Sequence, residues 1–318
     1  MALFIREEEV QKLLTMKDTL DVVEEAFRQQ AQGQAINRPR SRIHVGGKGS
    51  LQLMSGAAFH QQVMGLKVYT AFRSGTRFLV LLYSSETGEL LAVVQADHLG
   101  RMRTGAASGI ATKYMAREDA GTVGIIGTGW QAVTQLAAVC EVREIKKAKA
   151  FSRRPEGRSA FCEQMSTELG IDVVPVESAQ EAVHGAEIVV TITNAREPVI
   201  SGEWVEEGAH VNAAGSNSLN RSEIDDALVR KCDIIVVDSR EQARIECGDL
   251  LSAIERGLTH WEEMGELGEV VVGRVTGRST TKDVTLFESQ GLAIEDVATA
   301  ARVLELAREN GVGEEIPV

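Results

Sequence analysis

The sequence predicts an α/β chain: a doubly wound parallel-sheet domain preceded by a smaller α+β domain. Three observations carry this. A glycine-rich turn, Gly127-Thr128-Gly129-Trp130-Gln131-Ala132, stands between the apolar run Val123-Gly124-Ile125-Ile126 and an apolar-periodic segment. From Gly121 onward, short apolar runs alternate with helical patterns, as a parallel sheet with crossover helices requires. Ahead of it the character differs: one amphipathic stretch is followed by short alternating runs separated by glycine turns.

Taken in order, residues 7–32 carry helical periodicity through Val10, Leu13, Leu14, Leu20, Val23, Ala26 and Phe27. Residues 43–45, 51–54 and 66–69 read as strands, with Arg40 just before the first of them. Residues 78–83 and 90–95 form a hairpin around the polar turn at 84–89, and residues 99–116 suit a helix. Strands are then expected at 122–126, 147–151, 171–175, 187–192, 209–213 and 233–238, with one more near 284–287. The last segment, 293–308, is an amphipathic helix built on Ile294, Val297, Ala298, Ala301 and Leu304. Domain size then divides the chain into an α+β part at 1–118 that supplies the substrate side, rejoined by 291–318, and a doubly wound (Rossmann) part at 119–290.

The glycine-rich turn implies a dinucleotide. Gly127 permits the tight turn, Gly129 lets backbone approach a pyrophosphate, and Ala132 keeps helix and strand close. Thr128 and Gln131 complete the turn, and unpaired amides at the helix start favour phosphate. The end of the second strand selects the dinucleotide. A carboxylate there would bind a ribose 2′-hydroxyl, but this chain has Ser152-Arg153-Arg154. Guanidinium and hydroxyl groups suit a 2′-phosphate, so NADP(H) is expected ahead of NAD(H), which stays open. Solvated loop charges are the plainer reading of the two arginines.

A net charge of -12 speaks against a nucleic-acid or anionic-membrane surface, each of which asks for basic patches. With 43% hydrophobic and 25% charged residues the composition is that of a soluble globular protein. The start MALFIREEEV has no long apolar core, and no run is long enough to span a bilayer. Cys140, Cys162, Cys232 and Cys247 lack ligand spacing and read as free thiols, and the six histidines form no metal pattern. A cytoplasmic location and no metal are expected.

Lys67, Arg40 and Arg103 stand on or beside apolar strands or a helix of small residues. Two arginines could clamp a carboxylate while a lysine moves a proton. Counted among 34 Lys and Arg, they read more readily as surface charges. Their order along the chain adds to this. Gly65-Leu66-Lys67, Arg103-Thr104-Gly105-Ala106-Ala107-Ser108, the turn at 127–132, Val211-Asn212-Ala213-Ala214-Gly215-Ser216, and the run from Val284 to Asp296 together resemble the ornithine cyclodeaminase/mu-crystallin family.

The resemblance covers nearly the whole chain. It implies a homodimeric enzyme acting on a small imino or amino acid, either as a reductase or dehydrogenase or as an ornithine or lysine cyclodeaminase with internally recycled NAD. A binding protein of the mu-crystallin kind is the third alternative. It further implies that Arg40 and Arg103 hold the substrate carboxylate and that Lys67 acts on the amine or imine. Ser152 and Arg153 would select the cofactor, and Thr193, Asn194, Gly215 and Ser216 would lie near the nicotinamide. One position departs from the cyclodeaminases, which carry an aspartate where this chain has Asn217. An amide takes no proton, so general-base work there is lost. That, with the Ser-Arg pair, favours an NADP-linked reductase. The pocket for the substrate side chain is expected at Met54, Tyr69, Phe72 and Arg73, with Arg73 and Arg77 also able to meet a second acidic group.

Overall fold

The computed structural model describes residues 1–317. A short strand, β1 (Ala2–Ile5), precedes helices α1 (Glu7–Leu13) and α2 (Met16–Ala31). The single helical stretch expected at 7–32 is thus broken. Leu14 turns extended, and Thr15 caps α2 by accepting a hydrogen bond from the Asp18 amide at 3.1 Å. Strands β2 (Ala35–Val45), β3 (Gly49–Ala58), β4 (Val63–Phe72), β5 (Gly75–Ser84) and β6 (Leu90–Gln95) follow as an antiparallel meander. Helix α3 (Asp97–Met115) comes next.

The second half alternates as expected: β7 (Thr122–Ile126), α4 (Ala132–Val142), β8 (Lys147–Phe151), α5 (Pro155–Leu169), β9 (Asp172–Pro175), α6 (Ala179–Val183), β10 (Ile188–Thr191) and β11 (His210–Ala213). Then come α7 (Asp226–Lys231), β12 (Ile234–Val237), α8 (Arg240–Glu246), α9 (Leu251–Glu255), β13 (Gly265–Glu266), α10 (Leu267–Val271) and β14 (Thr285–Glu288). The chain closes with α11 (Ala293–Asn310) and β15 (Glu314–Ile316).

Two compact units result: Met1–Arg103 with the chain from Leu292 onward, and Thr104–Gly291. The division falls within α3 rather than at residue 118. Arg103 bonds to groups of the first unit, whereas beyond it Gly105 closes on the Thr134 backbone of the second. In the first unit the sheet order is β15-β1-β6-β5-β4-β3-β2, with β1 parallel to β6 and every other pairing antiparallel. Helix α11 lies on this sheet and against α2. Gly56 and Gly65 face each other across β3 and β4. A side chain at Gly56 would meet Ile294 of α11, and one at Gly65 would meet Val297, so the two glycines seat the helix against the sheet.

The second unit's sheet runs β13-β12-β14-β11-β10-β7-β8-β9 and all its pairings are parallel. The order reverses between β7 and β10, the crevice position at which doubly wound sheets bind nucleotides. Its strands are buried runs such as Ile188–Thr191, and apolar clusters cover the sheet: Ile125, Leu136, Val139 and Met165 in one, Val189, Val211, Leu228 and Leu286 in another.

Candidate active site: a buried cation–carboxylate cluster and a nucleotide turn

Lys67 sits in the middle of β4, opposite Met54 on β3 and Val80 on β5, and is only 3% exposed. Its Nζ donates to Oδ1 of Asp296 at 2.8 Å. The same oxygen accepts from Arg103 Nε at 3.1 Å, while Arg103 Nη1 donates to Glu295 Oε2 at 3.0 Å. Both carboxylates belong to the first turns of α11, where the helix dipole favours negative charge. Asn37 of β2 steadies that helix start, its Oδ1 accepting from the amides of Ala293 (2.8 Å) and Ile294 (3.3 Å).

Arg40 is buried too, and its charge acts on Lys67. It lies inside β2 rather than ahead of a strand. β2 is an edge strand, and its pairing slips between Arg38 and Ser41, around Pro39. Proline has no amide to donate, so edges and bulges are where it is tolerated.

Lys67 and Arg103 thus share two carboxylates (Glu295, Asp296), and the charge of Arg40 acts on the same ammonium. Burial, with the charge of Arg103 next, lowers the Lys67 pKa to about 8, and Asp296 opposes the fall. Lys67 is thus an ammonium at neutral pH but close to titrating. Burial alone would lower Arg103, yet Asp296 and Glu295 hold it above the ordinary guanidinium range. Burial raises Glu295, against the pull of Arg103.

Beside the cluster, the Lys67 ammonium lies 5.1 Å from the Phe78 ring centroid and 5.9 Å from that of Tyr69. The two rings are 4.8 Å apart, and the Tyr69 hydroxyl donates to Gln52 Oε1 at 2.6 Å. Met54 and Tyr69, two of the residues expected to line the substrate pocket, lie beside Lys67. Phe72 and Arg73 do not: strand alternation puts Phe72 on the opposite face from Lys67, and both residues are exposed at the β4–β5 turn. Phe78, paired with Tyr69 across the strands, occupies the position beside Lys67. Arg77 is likewise exposed.

In the second unit, Gly127 adopts φ +107°, and a side chain there would run into the Ile192 carbonyl. A Cβ on Gly129 would meet nothing within 4 Å, so that side of the turn is open for a ligand's approach. No side chain caps the start of α4, and Gln131 Oε1 is buried with no hydrogen-bond partner among the described residues. Ala132 is fully buried as α4 begins. Open space and an uncapped helix start fit a dinucleotide's phosphates. Thr128 Oγ1 lies 2.7 Å from Ser152 Oγ, tying the turn to the end of β8. Arg153 and Arg154 are exposed there, and no carboxylate stands among residues 152–154. Arg158 braces this corner from α5, donating to Ser152 O at 3.4 Å and to Glu177 at 2.7 Å.

Glu223, not foreseen, joins the segments after β10 and β11. Its Oε1 accepts from the Thr193 amide at 2.5 Å, and its Oε2 from the Gly215 amide at 2.8 Å and the Thr191 hydroxyl at 3.0 Å. Burial pushes its pKa up to about 7 despite these donors. The Ser216 hydroxyl is directed back into its own loop, 3.2 Å from Arg221 O. Asn194 is exposed, and Asn217 is half-buried in the loop after β11. A signal for Glu295 and Asp296 existed: two acids at the start of a helix whose following positions are apolar. Nothing in the local pattern marks Glu223.

Comparison with known proteins agrees over the whole chain. A 37% identical relative, an alanine dehydrogenase from Archaeoglobus fulgidus, aligns over 99% of this chain and 98% of its own. The solved structure of a Thermococcus litoralis Δ1-pyrroline-2-carboxylate reductase, in complex with NADH and L-proline, superposes with a TM-score of 0.95 at 39% identity, covering 99% of this chain and 100% of that one. An iminosuccinate reductase of Paracoccus denitrificans, solved with NAD+, superposes at 0.94 with 30% identity over 100% of this chain and 99% of its own. The profile of the ornithine cyclodeaminase/mu-crystallin family matches residues 2–311, and the chain belongs to that family.

Proposed function

We infer that this chain is an oxidoreductase that interconverts an α-imino acid and the corresponding amino acid with a nicotinamide dinucleotide. The observation that carries this reading is the buried cluster in which Lys67 and Arg103 share Asp296 while the charge of Arg40 acts on Lys67. When bound, the nicotinamide supplies or accepts a hydride at C4. Arg40 and Arg103 hold the substrate carboxylate and so fix the α-carbon. Lys67, as an ammonium at Nζ, gives its proton to the imine nitrogen and makes the carbon a better hydride acceptor. In the oxidative direction a neutral Nζ takes the proton back. The relatives' names, an alanine dehydrogenase and reductases of imino acids, support the same chemistry.

Gly127, Thr128, Gly129, Gln131 and Ala132 are the residues that would hold the pyrophosphate, with the segments at Thr193–Asn194 and Gly215–Ser216 on the nicotinamide side. We further propose NADP(H) as the preferred nucleotide, because Ser152, Arg153 and Arg154 stand where an acid would select NAD(H). NADH or NAD+ in solved relatives makes NAD(H) the alternative. A homodimer is proposed too: the first unit's sheet exposes Ile36, Ile43, Val45, Met64 and Phe72, and an archaeal alanine dehydrogenase of similar structure is a dimer. Among the described residues no helix is long and apolar enough to cross a membrane. Four free thiols suit a reducing, cytoplasmic setting.

The test is nucleotide oxidation followed by absorbance. NADPH and NADH are each offered with Δ1-pyrroline-2-carboxylate, Δ1-piperideine-2-carboxylate, and pyruvate with ammonia or methylamine. Oxidation of NADPH ahead of NADH by one of these imines is expected. Ammonia and proline formed from L-ornithine without net nucleotide change would overturn the reductase and restore a cyclodeaminase, in spite of Asn217.

A further inference from the structure

Asp296 is a carboxylate that gathers two cations. It is fully buried, and a single oxygen, Oδ1, takes both the Lys67 ammonium and the Arg103 guanidinium. Oδ2 is buried as well and has no hydrogen-bond partner among the described residues. The fold, moreover, is shaped to bring it there. Gly56 and Gly65 allow the start of α11 to lie against β3 and β4, Asn37 caps it, and the Gly100 Cα faces the lysine so closely that an added Cβ would lie 3.2 Å from Nζ.

We propose that Asp296 is the positioning residue for the Lys67 proton: it holds Nζ in place and keeps it an ammonium beside two arginines. The proposal rests on the reading of Lys67 as the proton donor. Without Asp296, the charges facing Nζ are Arg103 from α3, Arg40 from β2 and Glu295 from α11, with the Tyr69 and Phe78 rings alongside. Glu295 is bonded to Arg103 and to the Leu292 amide, not to Lys67. Burial and the two guanidiniums then act with no direct anionic partner against them, and the proton leaves Nζ at lower pH. An opposite charge at such range moves a pKa by about 1–3 units.

The consequence has a direction. Imine reduction needs protonated Lys67, so its rate declines as pH rises through the Lys67 pKa, which lies near 8. In Asp296→Asn, of the same size but without charge, that alkaline limb moves down by about 1–3 units. Reduction at pH 8 accordingly falls roughly fivefold or more. Amino-acid oxidation, which needs neutral Lys67, loses less at the same pH. Asp296→Glu keeps the charge and leaves the limb where it was, whatever its effect on the rate.

The experiment pairs pH–rate profiles in both directions with an NMR titration of protein carrying isotopically labelled lysine, the Lys67 signal being assigned by its loss in Lys67→Met. The titration depends on no substrate, so it separates this proposal from the reaction itself. A lowered Lys67 midpoint in Asp296→Asn with the wild-type value in Asp296→Glu is expected. An unchanged midpoint in Asp296→Asn overturns the proposal even if the enzyme reduces imines. A lowered midpoint without any imine turnover leaves it standing and removes the proposed function instead. If Asp296→Asn does not fold, Asp296→Glu decides: a midpoint displaced by a unit or more there refutes charge as the cause.

Discussion

At Lys67 one nitrogen carries both the charge of a buried cluster and the proton proposed for the reaction, and the two roles can be separated by substitution. Lys67→Ala removes the donor but leaves Arg103 bonded to both Asp296 and Glu295, so the anions are still partnered. Imine reduction should fall by about a hundred- to ten-thousand-fold, the range of a lost general acid. NADPH affinity, measured by fluorescence titration, should be little changed, because no residue of the 127–132 turn is touched. Turnover at the wild-type rate would end the assignment of Lys67. Cofactor choice is decided elsewhere. Replacing Arg153 and Arg154 together by serine should raise the KM for NADPH roughly ten- to a hundredfold, the effect of losing one charge-assisted bond of about 1.5–3 kcal/mol. The KM for NADH should hardly move. Equal effects on both nucleotides would show the arginines to be plain surface charges, as their exposure also allows.

At the level of elements, the start of α11 is where packing meets the site. A valine at Gly65 would press on Leu81 O and on the Val297 side chain. Overpacking of this kind costs about 1–3 kcal/mol. Gly65→Val should therefore lower Tm and, by lifting the helix start, lengthen the Lys67–Asp296 bond. The readouts are Tm and the rate of imine reduction. A variant destabilised but fully active would show that the helix start does not position Asp296 through this glycine. The same region shows what the sequence reveals and what it hides. The parallel strands were legible because burial on both faces makes them continuous apolar runs, as at Ile188–Thr191, and the expected positions agree within a residue or two. β1, β13 and β15 escaped notice because two to four residues carry no periodicity. The break at Thr15 was hidden by apolar residues that continue across it, although Thr15 and Asp18 have the spacing of a cap. Lys67, Arg40 and Arg103 stood out as cations beside apolar strands and a small-residue helix, and family resemblance gave them their roles. Asp296 did not stand out, since whether an acid at a helix start faces water or a buried lysine is decided by sheet residues some 230 positions away in sequence. Glu223 is hidden for the same reason, its partners being backbone amides.

For the molecule as a whole, acid stability is set by buried groups that must gain or lose charge. His210 on β11 is fully buried, with Nδ1 2.9 Å from the Thr285 hydroxyl and Nε2 3.2 Å from Asn212 Oδ1. Asn212 in turn donates to Thr112 Oγ1 on α3, so the ring ties two strands to that helix. Burial, then the charge of Arg278, lowers the His210 pKa from 6.5 to about 3. The unfolded chain takes up this proton as pH falls through 6.5, while the native state does not until about 3. Between those values the unfolded state binds more protons, so the stability due to neutral His210 is complete above the upper value and is lost on acidification. The loss is about 1.4 kcal/mol per pH unit, or roughly 2 kcal/mol by pH 5. Glu223, Glu288 and Asp249 act in the opposite sense, because burial raises their pKa values and the native state then binds protons more readily. The overall slope mixes both effects, and only a difference isolates the histidine. His210→Gln keeps a side chain able to donate and accept but removes the titration. In urea unfolding, wild type should lose about 2 kcal/mol more than His210→Gln between pH 7.5 and pH 5. Parallel losses in the two proteins would mean that His210 gains its proton without unfolding the chain, and that the network it forms with Asn212, Thr112 and Thr285 accommodates an imidazolium.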